Sequence, residues 1–190
     1  MTPFDDDIRE PDERPHHRRV SLMGLDLSPT ASAAVAVPLD WDGDWRRIAR
    51  LTVGESLPRN ASDSVRARRC ETIATRLVAF ARAHGVTDAW IEGYAFSRAE
   101  HAHTIAEVSG VVRLELVRAG IGLHTVPASS ARKLLLGKVP RSEAKAAVYA
   151  AFRAAGAPIE TFDEGDALAV ANFGLSEAGG YCFAQGQVAA

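Results

Sequence analysis

VSLMGLDLSPTASAAVAVP, residues 20–38, holds two short apolar runs on either side of Ser28-Pro29-Thr30. Runs of this length bounded by turn residues read as β-strands, and their spacing reads as a hairpin. Strand alternation in the first run puts Gly24, Asp26 and Ser28 on one face and Leu25 and Leu27 on the other. Asp26 is therefore a carboxylate on an apolar central strand. An unpaired charge there is costly and brings the fold no benefit, so a chemical role is the better account of it.

Working outward, DWDGD (40–44) reads as a turn and WRRIARLTV (45–53) as a third strand, giving an antiparallel meander. From Ser62 to His84 the apolar residues Ile73, Leu77, Val78, Phe80 and Ala81 recur at helical spacing, and Gly85 ends the pattern. VTDAWIE (86–92) is a fourth strand. Ala99 to Ala119 is a second long helix with Ile105, Val108, Val112 and Leu116 on its buried face, and IGLHTVP (121–127) is a fifth strand. Helices follow around Ala131–Leu136, from Ser142 to Ala155, and from DEGDALAVANFGL (163–175). This order predicts an α/β chain with a mixed five-stranded sheet, the first three strands antiparallel and the rest joined by parallel crossovers, flanked by helices.

The composition, 47% apolar and 24% charged, is that of a globular chain. Nothing in it approaches the roughly 20 consecutive apolar residues of a membrane span, nor does the acidic N-terminus contain the apolar centre of a signal peptide. These features, with only Cys70 and Cys182 and no CxxC, point to the cytoplasm and to two reduced thiols. Residues 1–19 carry six of the 24 acids and four of the 22 basic residues, so the remainder balances at 18 of each. That first segment mixes Pro with dense charge and reads as a disordered arm, in which His16 and His17 are solvated. Residues 20–179 read as one domain and 180–190 as a C-terminal tail.

A second acid, Glu92, ends the fourth strand, immediately before two aromatics in AWIEGYAF (89–96). Crossover rules favour placing that strand beside the first. Asp163 and Asp166 lie at i and i+3 where the last helix opens, so both can point the same way. A helix-capping role accounts for Asp163 as readily as a ligand role does, while Glu160 and Glu164 read as solvated. Four converging carboxylates repel, and a divalent cation with a preference for hard oxygen ligands, Mg²⁺ or Mn²⁺, is the usual remedy.

GLDLSPT, AWIEGYAF, AEVSGVVRLELVRAG, TVPASSARKLLLG, SEAKAAV and DEGDALAVA, in this order from about Ser21 to Asn172, resemble the RuvC-like Holliday-junction resolvases, especially the phage and actinobacterial type. The resemblance implies a ribonuclease H-like fold, a homodimer, and endodeoxyribonuclease action on branched DNA with two Mg²⁺ or Mn²⁺ ions per site and no small-molecule cofactor. It implies Asp26, Glu92, Asp163 and Asp166 as metal ligands. Lys133 and Lys145 fall where the family has lysines near the reacting phosphate, and Lys145 or Lys133 is expected to offset charge there. Arg132, Lys133, Lys138, Arg141 and Lys145 face only Glu143 between residues 132 and 145, so this basic stretch is the expected DNA contact. Tyr94 and Phe96 follow the acid-bearing strand and are candidates to stack on exposed bases, with His101 and His103 as weaker candidates for phosphate or metal.

The turn DLSPTAS is less glycine-rich than the cellular enzymes' turn and GKVPRSEAK contains a proline, which leaves the acids intact but opens the substrate preference. A nuclease for flaps, forks or RNA–DNA hybrids fits the same residues, as does a catalytically inactive module that binds branched DNA. A sugar-kinase or actin-like ATPase also begins with Gly-x-Asp, but the chain lacks a duplicated domain and a GxxxxGK[ST] loop.

Overall fold

The structure, a computed structural model, describes residues 20–93 and 99–183. Strands β1 (Ser21–Asp26) and β2 (Ser32–Pro38) form the expected antiparallel hairpin, with Ser21 opposite Pro38 and Asp26 opposite Ala33. Ser32 fastens the turn, its hydroxyl donating to the Ser28 carbonyl at 2.5 Å and accepting from the Ser28 amide at 3.0 Å.

Strand β3 (Ala49–Val53) pairs antiparallel with β2 and starts later than the alternation suggests. Trp45–Arg47 instead make one turn of 3-10 helix, capped by the Asp44 carboxylate, which accepts from the Arg46 amide at 3.0 Å. Trp45 decides this: its indole N–H donates to the Ala155 carbonyl at 2.5 Å, and its ring stacks on Phe183 with centroids 5.0 Å apart. A large ring anchored to distant partners overrides a weak local alternation.

Helix α1 (Asp63–Ala83) opens at Ser62, whose hydroxyl accepts from the Val65 amide, and stops before Gly85, which takes a left-handed φ of 63°. Strand β4 (Val86–Glu92) then runs parallel to β1, and β5 (Gly122–Val126) runs parallel to β4 after helix α2 (Ala99–Arg118). The five-stranded sheet has the order β3-β2-β1-β4-β5. Helices α3 (Ala128–Leu136), α4 (Ala144–Ala154) and α5 (Phe162–Glu177) complete the regular structure of the described residues.

The sheet is covered on both faces, which explains why β2 is buried along its whole length. Met23, Leu25, Ala34 and Ala36 pack with Ile73 and Leu77 of α1 and with Val108, Val112 and Leu116 of α2. On the opposite face, Leu22, Val35 and Val37 pack with α3, α4 and α5. Helix α5 is buried nearly all round from Glu164 to Leu175, the expected character of a central helix that lies between a sheet and other helices. The Asn172 side chain donates to the Phe183 carbonyl at 2.8 Å and accepts from the Phe183 amide at 2.7 Å, and so holds the segment up to residue 183 against this core. Among the described residues, no helix is long and apolar enough to cross a membrane.

Candidate active site

Because β1 and β4 are parallel neighbours, their last residues, Asp26 and Glu92, lie at the same edge of the sheet. That edge, beyond the carboxyl ends of parallel strands, is where open α/β sheets place their sites. Helix α5 reaches it through Gly24. A Cβ on Gly24 would stand 2.1 Å from the Ala167 carbonyl oxygen and 2.4 Å from the Ala171 amide, so the α5 backbone rests directly on this glycine. Asp166, one residue before Ala167, is thereby set against Asp26. The spacing Gly-x-Asp thus combines a contact for the helix with a ligand for the site.

One carboxylate oxygen from each of Asp26, Glu92 and Asp166 lies within 4.8 Å of the others, a set that could hold a metal ion. Three hard oxygen donors suit Mg²⁺ or Mn²⁺. Asp163, the fourth expected ligand, stands beside this trio and accepts from Lys145 Nζ at 2.6 Å. Lys145 Nζ is also 3.5 Å from Asp26 and 3.3 Å from Asp166, and so links Asp163 to the other acids. From α3, Arg132 binds Asp166 with two parallel bonds, Nε to Oδ1 at 3.1 Å and Nη2 to Oδ2 at 2.9 Å, and its Nη2 is 4.0 Å from Glu92.

Among the described residues two cations therefore face four carboxylates, and the residual charge appears in the acidities. Burial, reinforced by Glu92 and then by Asp166 and Asp163 against the opposing pull of Lys145, raises the Asp26 pKa to about 7. Glu92 is also raised, chiefly by burial, with Arg132 opposing. For Lys145, burial works against the ammonium, but the Asp163 hydrogen bond and the neighbouring acids outweigh it and raise its pKa. Carboxylates held in such surplus favour a divalent cation.

The structure corrects two readings around α5. Thr161, not Asp163, caps the helix, its hydroxyl accepting from the Glu164 amide at 3.1 Å. Glu164 is buried rather than solvated: it accepts from Arg50 Nη1 at 2.9 and 3.1 Å, from the Thr52 hydroxyl at 3.2 Å and from the Glu160 amide at 2.7 Å. Glu160 is exposed and pairs with the same arginine. This network ties β3 to the start of α5, and so supports the helix end that bears Asp163 and Asp166.

The basic residues divide. Arg132 and Lys145 stand among the acids, and Lys133, expected near the phosphate, points from the next position of α3 into an adjoining cleft of about 600 Å³. Thr125, Ser129, Leu136, Val139 and Arg141 also line that cleft, which opens onto Glu92 and Arg132. Lys138 is exposed nearby in sequence. Tyr94 and Phe96 lie outside the described residues, as does the side chain of His101; His103 is exposed on α2. Cys70 is buried and Cys182 half-buried, both as free thiols.

No protein-family model matches the chain, and no curated protein matches it in sequence. Solved structures do match it. Thermus thermophilus RuvC superposes with a TM-score of 0.60 at 16% identity, over 84% of this chain and 97% of the other. The T. thermophilus RuvC complex with a Holliday junction substrate gives 0.58 at 17%, over 84% and 92%. Fowlpox virus resolvase, bound to Holliday junction DNA, gives 0.54 at 7%, over 83% and 98%. Sheet order, strand directions and these superpositions agree: the chain has the ribonuclease H-like fold in the form found in RuvC and the poxvirus resolvase.

Proposed function

We propose that this protein is a metal-dependent endodeoxyribonuclease that cleaves four-way DNA junctions. The observation that carries the reading is the convergence of Asp26, Glu92 and Asp166 from β1, β4 and α5 on a fold shared with junction resolvases. Asp26, Glu92 and Asp166 would hold Mg²⁺ or Mn²⁺, two ions per site, with Asp163 as a further ligand. A divalent cation supplies Lewis-acid chemistry there, making water a better nucleophile near neutral pH and stabilising the oxygen that leaves phosphorus. A bond from water oxygen to phosphorus forms and the bond from phosphorus to the 3′ oxygen breaks, leaving a 5′-phosphate and a 3′-hydroxyl. Lys145, hydrogen-bonded to Asp163, is placed to offset charge on the phosphate. Lys133, Lys138 and Arg141 would contact the DNA backbone, whose recognition depends on basic groups rather than sequence. Tyr94 and Phe96 would stack on bases opened at the crossover.

Cutting both strands of a symmetric junction requires two sites related by a two-fold axis. The α2 face bearing Val108, Val112 and Leu116 is spent on the core, whereas Leu114 and Val117 are 49% and 58% exposed and a Cβ on Gly110 would meet nothing within 4 Å. We assign this outward stripe to pairing between two copies. Val117→Glu is expected to give a monomer by light scattering, binding junctions more weakly and nicking one strand. A variant that remains a dimer removes this face from the interface. Competition among a labelled junction, a 5′ flap and a plain duplex tests the substrate: the junction should be cut at paired positions and be displaced least by the others. Preferential cutting of the flap would assign the enzyme to flaps or forks instead.

A further inference from the structure

Arg132 belongs to two places at once. Its guanidinium fork grips both oxygens of Asp166, a carboxylate that is only 2% exposed, and the same side chain lines the cleft that holds Lys133 and Arg141. Asp166 takes up the Nε–Nη2 edge of this guanidinium, so a phosphate that engages the same edge must displace the carboxylate. While it grips Asp166, it presents positive charge to the oxygens that a divalent cation would share with Asp26 and Glu92.

We propose that Arg132 is the resident counter-ion of this site and a switch between its two ligands: it holds Asp166 until a backbone phosphate in the cleft draws it away, and its departure lets the divalent cation bind tightly. Metal and DNA would then bind cooperatively, each favouring the other by the same factor, as linkage requires. This inference rests on the metal-site reading above and adds to it that the free protein is held in a weak-binding state. Arg132 acts through Asp166 and is a positioning residue. Lys145, at 2.6 Å from Asp163 and 3.3 Å from Asp166, supplies the second internal cation.

The test is the affinity of the protein for Mn²⁺ alone, read by the electron paramagnetic resonance signal of free Mn²⁺ at fixed ionic strength. Wild type, Arg132→Ala, Arg132→Gln and Arg76→Ala are compared, each shown folded by circular dichroism; Arg76 is an exposed arginine of α1, which packs on the opposite face of the sheet from α5, so its removal reports net charge alone. Either Arg132 variant should bind Mn²⁺ about tenfold more tightly than wild type, within the usual range of binding couplings, while Arg76→Ala stays near wild type. Sulfate, as a stand-in for phosphate, should tighten Mn²⁺ binding by wild type and leave Arg132→Ala unmoved. Equal affinities in wild type and both Arg132 variants overturn the proposal, as does an equal gain in Arg76→Ala. A sulfate effect of the same size with and without Arg132 overturns the phosphate step. If no protein in the series binds Mn²⁺, the metal-site reading itself fails, and the switch with it.

Discussion

Asp26→Asn should abolish metal-dependent cleavage and, at the same time, make the metal-free protein more stable above pH 7. The first effect follows from removing the β1 ligand of the carboxylate trio. The second follows from the raised Asp26 pKa of about 7, caused first by burial and then by Glu92. An aspartate is ionised in the unfolded chain above about pH 4. Since the folded state holds the Asp26 proton more tightly, Asp26 contributes its full stability below the unfolded pKa, and that contribution is lost as pH rises through about 7. Asparagine cannot ionise. Its advantage should therefore grow from pH 4 to about 7 and then level off, reaching about 4 kcal/mol, or roughly 8–16 °C in Tm for a chain of this size. Thermal unfolding in EDTA from pH 4 to 8.5 measures this directly. Adding Mg²⁺ should raise the Tm of wild type and leave Asp26→Asn unchanged. A variant less stable than wild type at pH 8 in EDTA would show that the acids are balanced by their internal cations alone.

Gly24→Ala should be among the most damaging single substitutions in the fold. The added methyl would meet backbone atoms of Ala167 and Ala171 at 2.1 to 2.9 Å, and backbone cannot swing aside as a side-chain tip can. Overpacking typically costs 1–3 kcal/mol, and the backbone contact on α5 puts this case at the upper end, about 3 kcal/mol in urea unfolding. Relief would require α5 to lift from β1, carrying Asp163 and Asp166 away from Asp26. A folded fraction should thus lose Mn²⁺ affinity as well as stability. Unchanged unfolding midpoint and metal affinity would mean that the helix and sheet are not in the close contact described.

The two effects explain which parts of the protein can be read in its sequence. Asp26 and Glu92 stand out because each interrupts or ends an apolar strand, and period-two alternation assigns a face to a residue without knowledge of its partners. Hairpin and crossover rules then place β1 beside β4, so the pairing of these acids follows from local patterns. Partnerships across the chain are another matter. Glu164 looks like any first-turn acid until Arg50, 114 positions earlier, is brought to it by β3. Trp45 looks like part of a strand until Ala155 and Phe183 claim its ring. Arg132 and Lys133 are adjacent and both basic, yet successive helical residues point about 100° apart, and only the packing of α3 decides which one meets Asp166. Asp163 and Asp166 share a helix turn, but that Lys145 joins them shows only once α4 packs beside α5.

Loss or retention of junction cutting on removal of the metal tests the central claim most directly. A four-way DNA junction labelled on one strand at a time is incubated with wild type and with Glu92→Gln, in Mg²⁺ and in EDTA. Paired nicks at symmetric positions should appear with wild type in Mg²⁺ and vanish with EDTA or with Glu92→Gln, although the junction remains bound. Cutting that persists in EDTA or in Glu92→Gln, or a junction bound by wild type yet left intact in both Mg²⁺ and Mn²⁺, would contradict the assignment of these carboxylates to metal-dependent hydrolysis.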